Sequence, residues 1–268
     1  MIPDKHKKRS FIKFDFTVES DLLEEDFSKI TEEDWLTSYW GSVHCSVGML
    51  LLRGGNSGTP EDFFCKEVSN QEVLEKLPYV KRLISEDGPL GAAKYAFIFK
   101  TAPNGVTLKH QDLMDVWKSM YRIHVPIYTN SGAYLISDGL SQHFQKGWMW
   151  SFNNHSDHGV VNGNQERVHL IFDVPYNKKL ANAIERSDIL EGENLPENVN
   201  RISQKTQSVD SYPGDIIIKH AIKTLKNRGV NDQQIASFFN SKKIPTKTYT
   251  QSGWEESSIQ AIWNYLNN

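Results

Sequence analysis

Between residues 93 and 176, apolar and polar positions alternate in short runs interrupted by turn residues. Runs 95–100, 120–128, 133–137, 148–152, 159–161 and 167–174 are rich in aromatic and β-branched side chains, as half-buried strands are. Asn104-Gly105, Ser131-Gly132, Asp138-Gly139 and Asn162-Gly163 lie between them and supply tight turns. Many short strands at this spacing predict a β-sandwich or jelly roll, which in its cupin-like form holds a ligand cavity between two sheets.

The flanking segments read differently. Before residue 90, β-like runs at 11–16 and 46–52 mix with helix-compatible stretches at 20–30 and 73–84. After Pro175 the pattern predicts a charged helix over 178–191, then a polar linker to about residue 212. Helical spacing returns over 216–228 and stops at Gly229. Asn231 and Gln234 have the spacing of a capping box, and Ile235, Ala236, Phe238 and Phe239 give the next helix its buried side. A turn at Pro245 leads to a last helix over 255–266. The expected organisation is a main domain over 1–177 with its β core at about 90–177, a helix and linker over 178–212, and a helical unit over 213–268.

Composition narrows the function classes. With 268 residues, a formal charge of -3 and a pI near 6.3, the chain has no general attraction to nucleic acid or anionic membrane. No apolar run is long enough for a signal peptide or a membrane span, so the protein is expected in the cytosol. Cys45 and Cys65 lack metal-type spacing and are read as reduced thiols.

The chemistry concentrates in the centre of the chain. His110-Gln111-Asp112 can present an imidazole and a carboxylate to one ion, because residues two apart on an extended strand share a face. A second histidine from a distant strand would complete a 2-His-1-carboxylate triad with open metal positions, an arrangement suited to non-haem iron. His-x-Asp is common, however, and the chain carries another at His155-Ser156-Asp157. Alternation along 120–128 puts Arg122 and His124 on one face and Ile123 and Val125 on the other. An arginine inside a β-sandwich requires an anion. Arg167 opens another alternating strand nine residues after His158, and a hairpin between the two would bring its guanidinium to the metal. For either arginine the plainer alternative is a structural salt bridge to Asp or Glu.

His110-x-Asp112, Arg122-Ile-His124-Val-Pro-Ile, Trp150-x-Phe152, His158-x-Val-x-Asn162 and Arg167-x-x-Leu-Ile-x-Asp173 together resemble the aspartyl/asparaginyl β-hydroxylase family, which includes bacterial free-proline hydroxylases. The resemblance covers about residues 90–176 and rests on order and spacing together. It implies a double-stranded β-helix, mainly β with helical additions, that holds Fe(II) and uses 2-oxoglutarate and O2 to hydroxylate an amino acid or a peptidyl side chain, releasing succinate and CO2. By position it implies His110, Asp112 and His158 as metal ligands. Arg167 then takes the distal carboxylate of 2-oxoglutarate with help from His124, and Arg122 turns toward the substrate. Asp112 departs from the animal members that hydroxylate Asp and Asn in protein domains, which lack the metal carboxylate, and is more similar to the proline hydroxylases. A carboxylate ligand also favours hydroxylation over halogenation. His158 keeps the spacing to Asn162 and Arg167 that the resemblance requires, which leaves His155 as a turn residue or a neighbour of the ligands. His169 and Asp173 share Arg167's face, where His169 either lines the pocket or is a hydrogen-bonded core histidine.

The C-terminal segment more faintly resembles the helical module of large serine recombinases, through Ile235-Ala236, Asn240, Ile244-Pro245-Thr246, Gly253-Trp254, Ile259 and Ile262. Residues 213–268 carry seven Lys/Arg against four Asp/Glu. Nucleic acid is therefore an expected partner only through that unit, whose plainer role is a helical cap on the core. A jelly-roll binding protein without turnover is the other alternative to an enzyme of small amino-acid or peptide substrates. The substrate and the oligomeric state are not legible.

Overall fold

In the computed structural model, residues 2–31, 34–35, 47–55, 68–112, 115–196, 222, 225–226, 229–241 and 255–267 are described. They begin with strand β1 (Phe11–Thr17), helix α1 (Ser20–Ser28), β2 (Val47–Gly54), β3 (Ser69–Asn70) and α2 (Pro78–Leu83). Eight strands follow: β4 (Tyr95–Thr101), β5 (Val106–His110), β6 (Met120–Tyr128), β7 (Tyr134–Ser137), β8 (Leu140–Gln142), β9 (Trp148–Phe152), β10 (His158–Val161) and β11 (Arg167–Pro175). Helix α3 (Lys178–Arg186), β12 (Asp188–Leu190), α4 (Asp232–Ser241) and α5 (Glu256–Asn267) complete the elements.

The chain deals β4 to β11 between two antiparallel sheets. The larger has the order β12-β1-β9-β6-β11-β4-β2-β3 and the smaller β5-β10-β7-β8. Neighbours in space are thus mostly distant in sequence, which is the double Greek key of a jelly roll and agrees with the expected double-stranded β-helix. Among the described residues, only β7 and β8 form a two-residue hairpin. Asp138 at φ 52° and Gly139 at φ 83° supply its two left-handed positions.

Alternation along β6 and β11 gives the larger sheet two unlike faces. Ile123, Val125, Leu170, Phe172 and Val174 pack outward with Leu23 of α1, Val80 of α2 and Leu180 of α3 in one buried cluster. Truncation of a fully buried side chain there, such as Phe172→Ala, costs about 3–5 kcal/mol. The opposite faces of the two sheets meet through Trp150 and Phe152 of the larger and Leu135 and Val160 of the smaller. Arg122, His124, Arg167, His169 and Asp173, all on β6 or β11, lie on this inner side.

Several expectations need correction. The helix expected over 73–84 is broken into a 3-10 turn, Glu72–Lys76, and α2, because Pro78 lacks an N–H and forces Leu77 out of helical geometry. The helix expected over 178–191 stops at Arg186. Its apolar face is complete at Ile184, and the free edge of β1 captures Asp188–Leu190 as a strand in the register Phe11↔Leu190. β10 and β11 do not form a hairpin. They belong to facing sheets, so His158 and Arg167 approach the interior from opposite sides.

At the C-terminal end, Asn231 accepts a bond from the Gln234 N–H and its own N–H donates to Gln234 Oε1, the reciprocal cap expected there. Gly229, at φ 80°, closes the preceding turn through Gly229 N–H to Lys226 O and Val230 N–H to Leu225 O. Ile222, Leu225, Ile235, Ala236, Phe239 and Ile259 form a cluster of their own. Most of the helix expected over 216–228, the linker from 197 to 212, the Pro245 turn and both cysteines lie outside the described residues. No helix among the described residues is long and apolar enough to cross a membrane.

Candidate active site

The smaller sheet sets the first part of the site. His158 stands opposite His110 of β5 on one side and Ser137 of β7 on the other, so the three form one row across the sheet. The backbone of His110 is described, and its side chain lies outside the described residues. His158 is buried, and its Nδ1 lies 2.9 Å from the Ser156 carbonyl. A carbonyl only accepts, so Nδ1 carries the hydrogen and Nε2 the lone pair, as a metal ligand requires. The buried Ser137 hydroxyl has no hydrogen-bond partner among the described residues.

Asp112 follows two residues after β5 and is buried. Its N–H donates to Asn154 O at 3.0 Å, and its Oδ2 accepts from Asn154 Nδ2 at 2.8 Å and from Arg122 Nη1 at 2.6 Å. Arg122 in turn makes a two-pronged pair with Asp173, Nε to Oδ1 at 2.9 Å and Nη2 to Oδ2 at 3.0 Å. Burial works against the Arg122 charge, but Asp173 and Asp112 more than offset it and hold the guanidinium protonated far above neutral pH. This is the salt bridge weighed for Arg122 from the sequence. Its guanidinium is committed to a carboxylate relay that holds one oxygen of Asp112.

Arg167 is the contrary case. It is 4 % exposed, and its Nη2 lies 2.9 Å from Nδ1 of His169. No carboxylate of a described residue pairs with it, and burial alone pulls its pKa down to about 9. His124 stacks edge-on near His169, with ring centroids 5.8 Å apart, and both of its ring nitrogens are buried without a hydrogen-bond partner among the described residues. Burial and then the Arg167 charge hold His124 and His169 well below the ordinary histidine pKa, so both are neutral at pH 7. A guanidinium without a counter-ion among the described residues, beside two neutral imidazoles, is suited to receive a carboxylate from outside the chain.

Among the remaining candidates, His155 places Nε2 3.1 Å from the Trp117 carbonyl, which commits that nitrogen elsewhere. Asn162 is wholly buried, and its Nδ2 lies within bonding distance of the Thr101, Ala102 and Gln165 carbonyls. It fixes the turn that delivers Arg167. Sequence reasoning did not single out Asn154, Ser156 or Ser137. The first two act through contacts that no local pattern encodes, and Ser137 could have been found as the residue just before the Asp138-Gly139 turn. Among the described side chains, which exclude that of His110, no group of three His, Cys, Asp or Glu is arranged to hold an ion.

The family profile described as aspartyl/asparaginyl beta-hydroxylase matches residues 26–176, more than half of the chain. The chain belongs to this family. A curated relative, the L-proline cis-4-hydroxylase of Rhizobium meliloti (strain 1021), is 24% identical over 157 residues, covering 56% of this chain and 55% of the relative. The chain thus spans about half the length of that relative. Solved structures similar in fold include a 2OG-Fe(II) oxygenase family oxidoreductase from Burkholderia pseudomallei, with TM-score 0.41, 12% identity and coverage of 66% of this chain and 80% of that one. A prolyl-4-hydroxylase from Pseudomonas putida has TM-score 0.39, 13% identity and coverage of 63% and 94%. In this family member, the carboxylate relay Asp112–Arg122–Asp173 and the Arg167–His169 pair sit on the inner face of the jelly roll, next to the His158 row.

Proposed function

We propose that the protein is an Fe(II)/2-oxoglutarate-dependent hydroxylase of an amino acid or a peptidyl side chain of Asp/Asn or Pro type. The observation that carries this reading is Arg167, a buried guanidinium with no carboxylate partner among the described residues. In water its charge is solvated, and inside the sandwich it is costly until an anion arrives. The distal carboxylate of 2-oxoglutarate has the required charge and planar two-oxygen shape. His110, Asp112 and His158 would hold the metal, in keeping with the tautomer of His158 and the two bonds on Asp112 Oδ2. When bound, Fe(II) with 2-oxoglutarate and O2 supplies oxidative decarboxylation coupled to hydroxylation of a C–H bond.

The protein's own residues position and exclude. Arg122 and Asn154 hold Asp112 in place through its Oδ2. His124, neutral and without a hydrogen-bond partner among the described residues, would supply a hydrogen bond to the cosubstrate. The aromatic wall of Phe144, Trp150 and Phe152 keeps water from the reacting atoms. The test is conversion of 2-oxoglutarate to succinate with Fe(II) and O2. His110→Ala, Asp112→Ala and His158→Ala are each expected to lower turnover and iron affinity about 100-fold or more, and His155→Ala to leave iron affinity in place. Full iron affinity in all three ligand variants would refute the site.

A further inference from the structure

We propose that Lys8 is the anchor for the substrate's carboxylate, so that this enzyme acts on free amino acids carrying an α-carboxylate rather than on residues inside a peptide. The inference rests on the hydroxylase reading above and deepens it. Lys8 precedes residues 26–176, the part of the chain that matches the family profile.

Two fixed points hold Lys8 in place. On one side His6 is buried, with Nδ1 2.5 Å from the Tyr176 hydroxyl and Nε2 2.8 Å from Glu185 of α3. On the other, Ser10 O accepts the Asn153 N–H, and β1 runs beside β9 in the register Phe11↔Phe152. The short span between them brings the Lys8 ammonium to Asn154 Oδ1, and Nδ2 of the same amide donates to Asp112 Oδ2 at 2.8 Å. One amide group therefore separates Lys8 from a metal-site carboxylate. An amino acid with its carboxylate on Lys8 would have its side chain beside the Asp112 carboxylate.

Charge points to an anion in this position. Arg122 is neutralised by Asp173 and Asp112, and Arg167 is taken by the cosubstrate. Lys8 makes no ion pair with a described residue, and Asn154 Oδ1 is the one hydrogen-bond partner of its three N–H donors among the described residues. A divalent metal and a doubly charged cosubstrate cancel, and the cations Lys8, Arg122 and Arg167 outnumber the carboxylates Asp112 and Asp173, so the site keeps a positive charge for a further anion. Burial, and then the nearby Arg122, bring the Lys8 pKa down to about 7, so an arriving carboxylate would also secure its proton.

The experiment uses the full chain and a panel of free L-amino acids, proline included, each paired with its carboxamide, which keeps the side chain and removes the negative charge. Two readouts are taken: substrate-stimulated succinate formation, and the thermal shift each probe causes with Zn(II) in place of Fe(II), where nothing turns over. In the wild type at least one free amino acid is expected to stimulate turnover and raise the melting temperature, with its amide weaker by about 10- to 100-fold in kcat/KM. Lys8→Met should erase that acid-over-amide preference, chiefly through KM, and Lys8→Arg should keep most of it. A merely structural Lys8 would weaken acid and amide alike in Lys8→Met, which overturns the anchor. So would an amide as good as its acid in the wild type, or stimulation by peptides alone. Calorimetric binding of 2-oxoglutarate to the Zn(II)-loaded wild type separates the two levels: its absence sinks the hydroxylase reading and the anchor together, whereas its presence without acid preference sinks only the anchor.

Discussion

Nη2 of Arg167 and Nδ1 of His169 lie 2.9 Å apart on one strand, and the imidazole is the only hydrogen-bond partner of that guanidinium among the described residues. A neutral ring does not compensate a buried cation. Arg167→Met is therefore expected to stabilise the ligand-free protein by about 1–3 kcal/mol while lowering 2-oxoglutarate affinity on the order of 100-fold. Thermal melts and calorimetric titration check the two halves separately. Destabilisation with unchanged affinity would show that Arg167 has a structural partner instead.

The relay from Asp173 through Arg122 to Asp112 predicts the reverse. Asp173 is wholly buried and takes two of Arg122's bonds, so Asp173→Asn leaves Arg122 leaning on Asp112 alone. The expected cost is about 3–5 kcal/mol of stability. Iron affinity should fall about 10- to 100-fold, because the carboxylate ligand loses its orientation. An Asp173→Asn protein with wild-type iron binding would remove Arg122 from the support of the metal site.

The sequence revealed the alternating strands more readily than their partners. β6 and β9 fall where periodicity puts them, and β4, β10 and β11 differ by a residue at an end. β5 and β8 were not expected, because Val106–His110 is five residues long with apolar side chains only at Val106 and Leu108, and Leu140–Gln142 is three residues long. The inward set Arg122, His124, Arg167 and His169 was legible because a charge on an alternating apolar strand is conspicuous. Which charge pairs with which was not. Arg122 and Arg167 look alike in sequence, yet register sets Asp173 opposite Arg122 and only Thr101 opposite Arg167. Lys8 and Asn154 were invisible for the same reason, since they meet only through the pairing of β1 with β9.

A pH dependence follows from the two neutral histidines. Burial, and then Arg167, depress the pKa of both His124 and His169, so the folded protein declines protons that the unfolded chain accepts below the ordinary histidine value of about 6.5. Stability then rises with pH wherever the unfolded state binds more protons, and falls on acidification. Between pH 7 and 5.5 the pair should cost about 2–3 kcal/mol. His124→Gln with His169→Gln, which cannot titrate, should flatten this slope in urea unfolding followed across that range. An equal slope in the double variant would place the acid sensitivity elsewhere. Arg167 does not contribute here, because its titration lies near pH 9.

The turn that delivers Arg167 gives the last test. A Cβ on Gly163 would fall 2.2 Å from Asn130 Oδ1 and 3.0 Å from Gly132 Cα. Asn130 cannot swing away, because its Oδ1 accepts the Gly132 N–H and its Nδ2 lies within bonding distance of Asn162 Oδ1 and Gln165 O. Gly163→Ala must therefore move backbone, at a cost of about 2–4 kcal/mol. Since Asn162 and Gln165 lead directly into β11, the displacement reaches Arg167 and should weaken 2-oxoglutarate binding as well. Gly147→Ala is the control. Its positive φ of 84° brings a penalty of about 1–2 kcal/mol, but the added Cβ comes no nearer than 3.7 Å to Ser20 Oγ, so cosubstrate affinity should hold. Comparing melting temperature with 2-oxoglutarate affinity in the two variants distinguishes a general loss of stability from displacement of the guanidinium. Equal affinity losses in both would mean that the Asn130–Gly163 contact does not position Arg167.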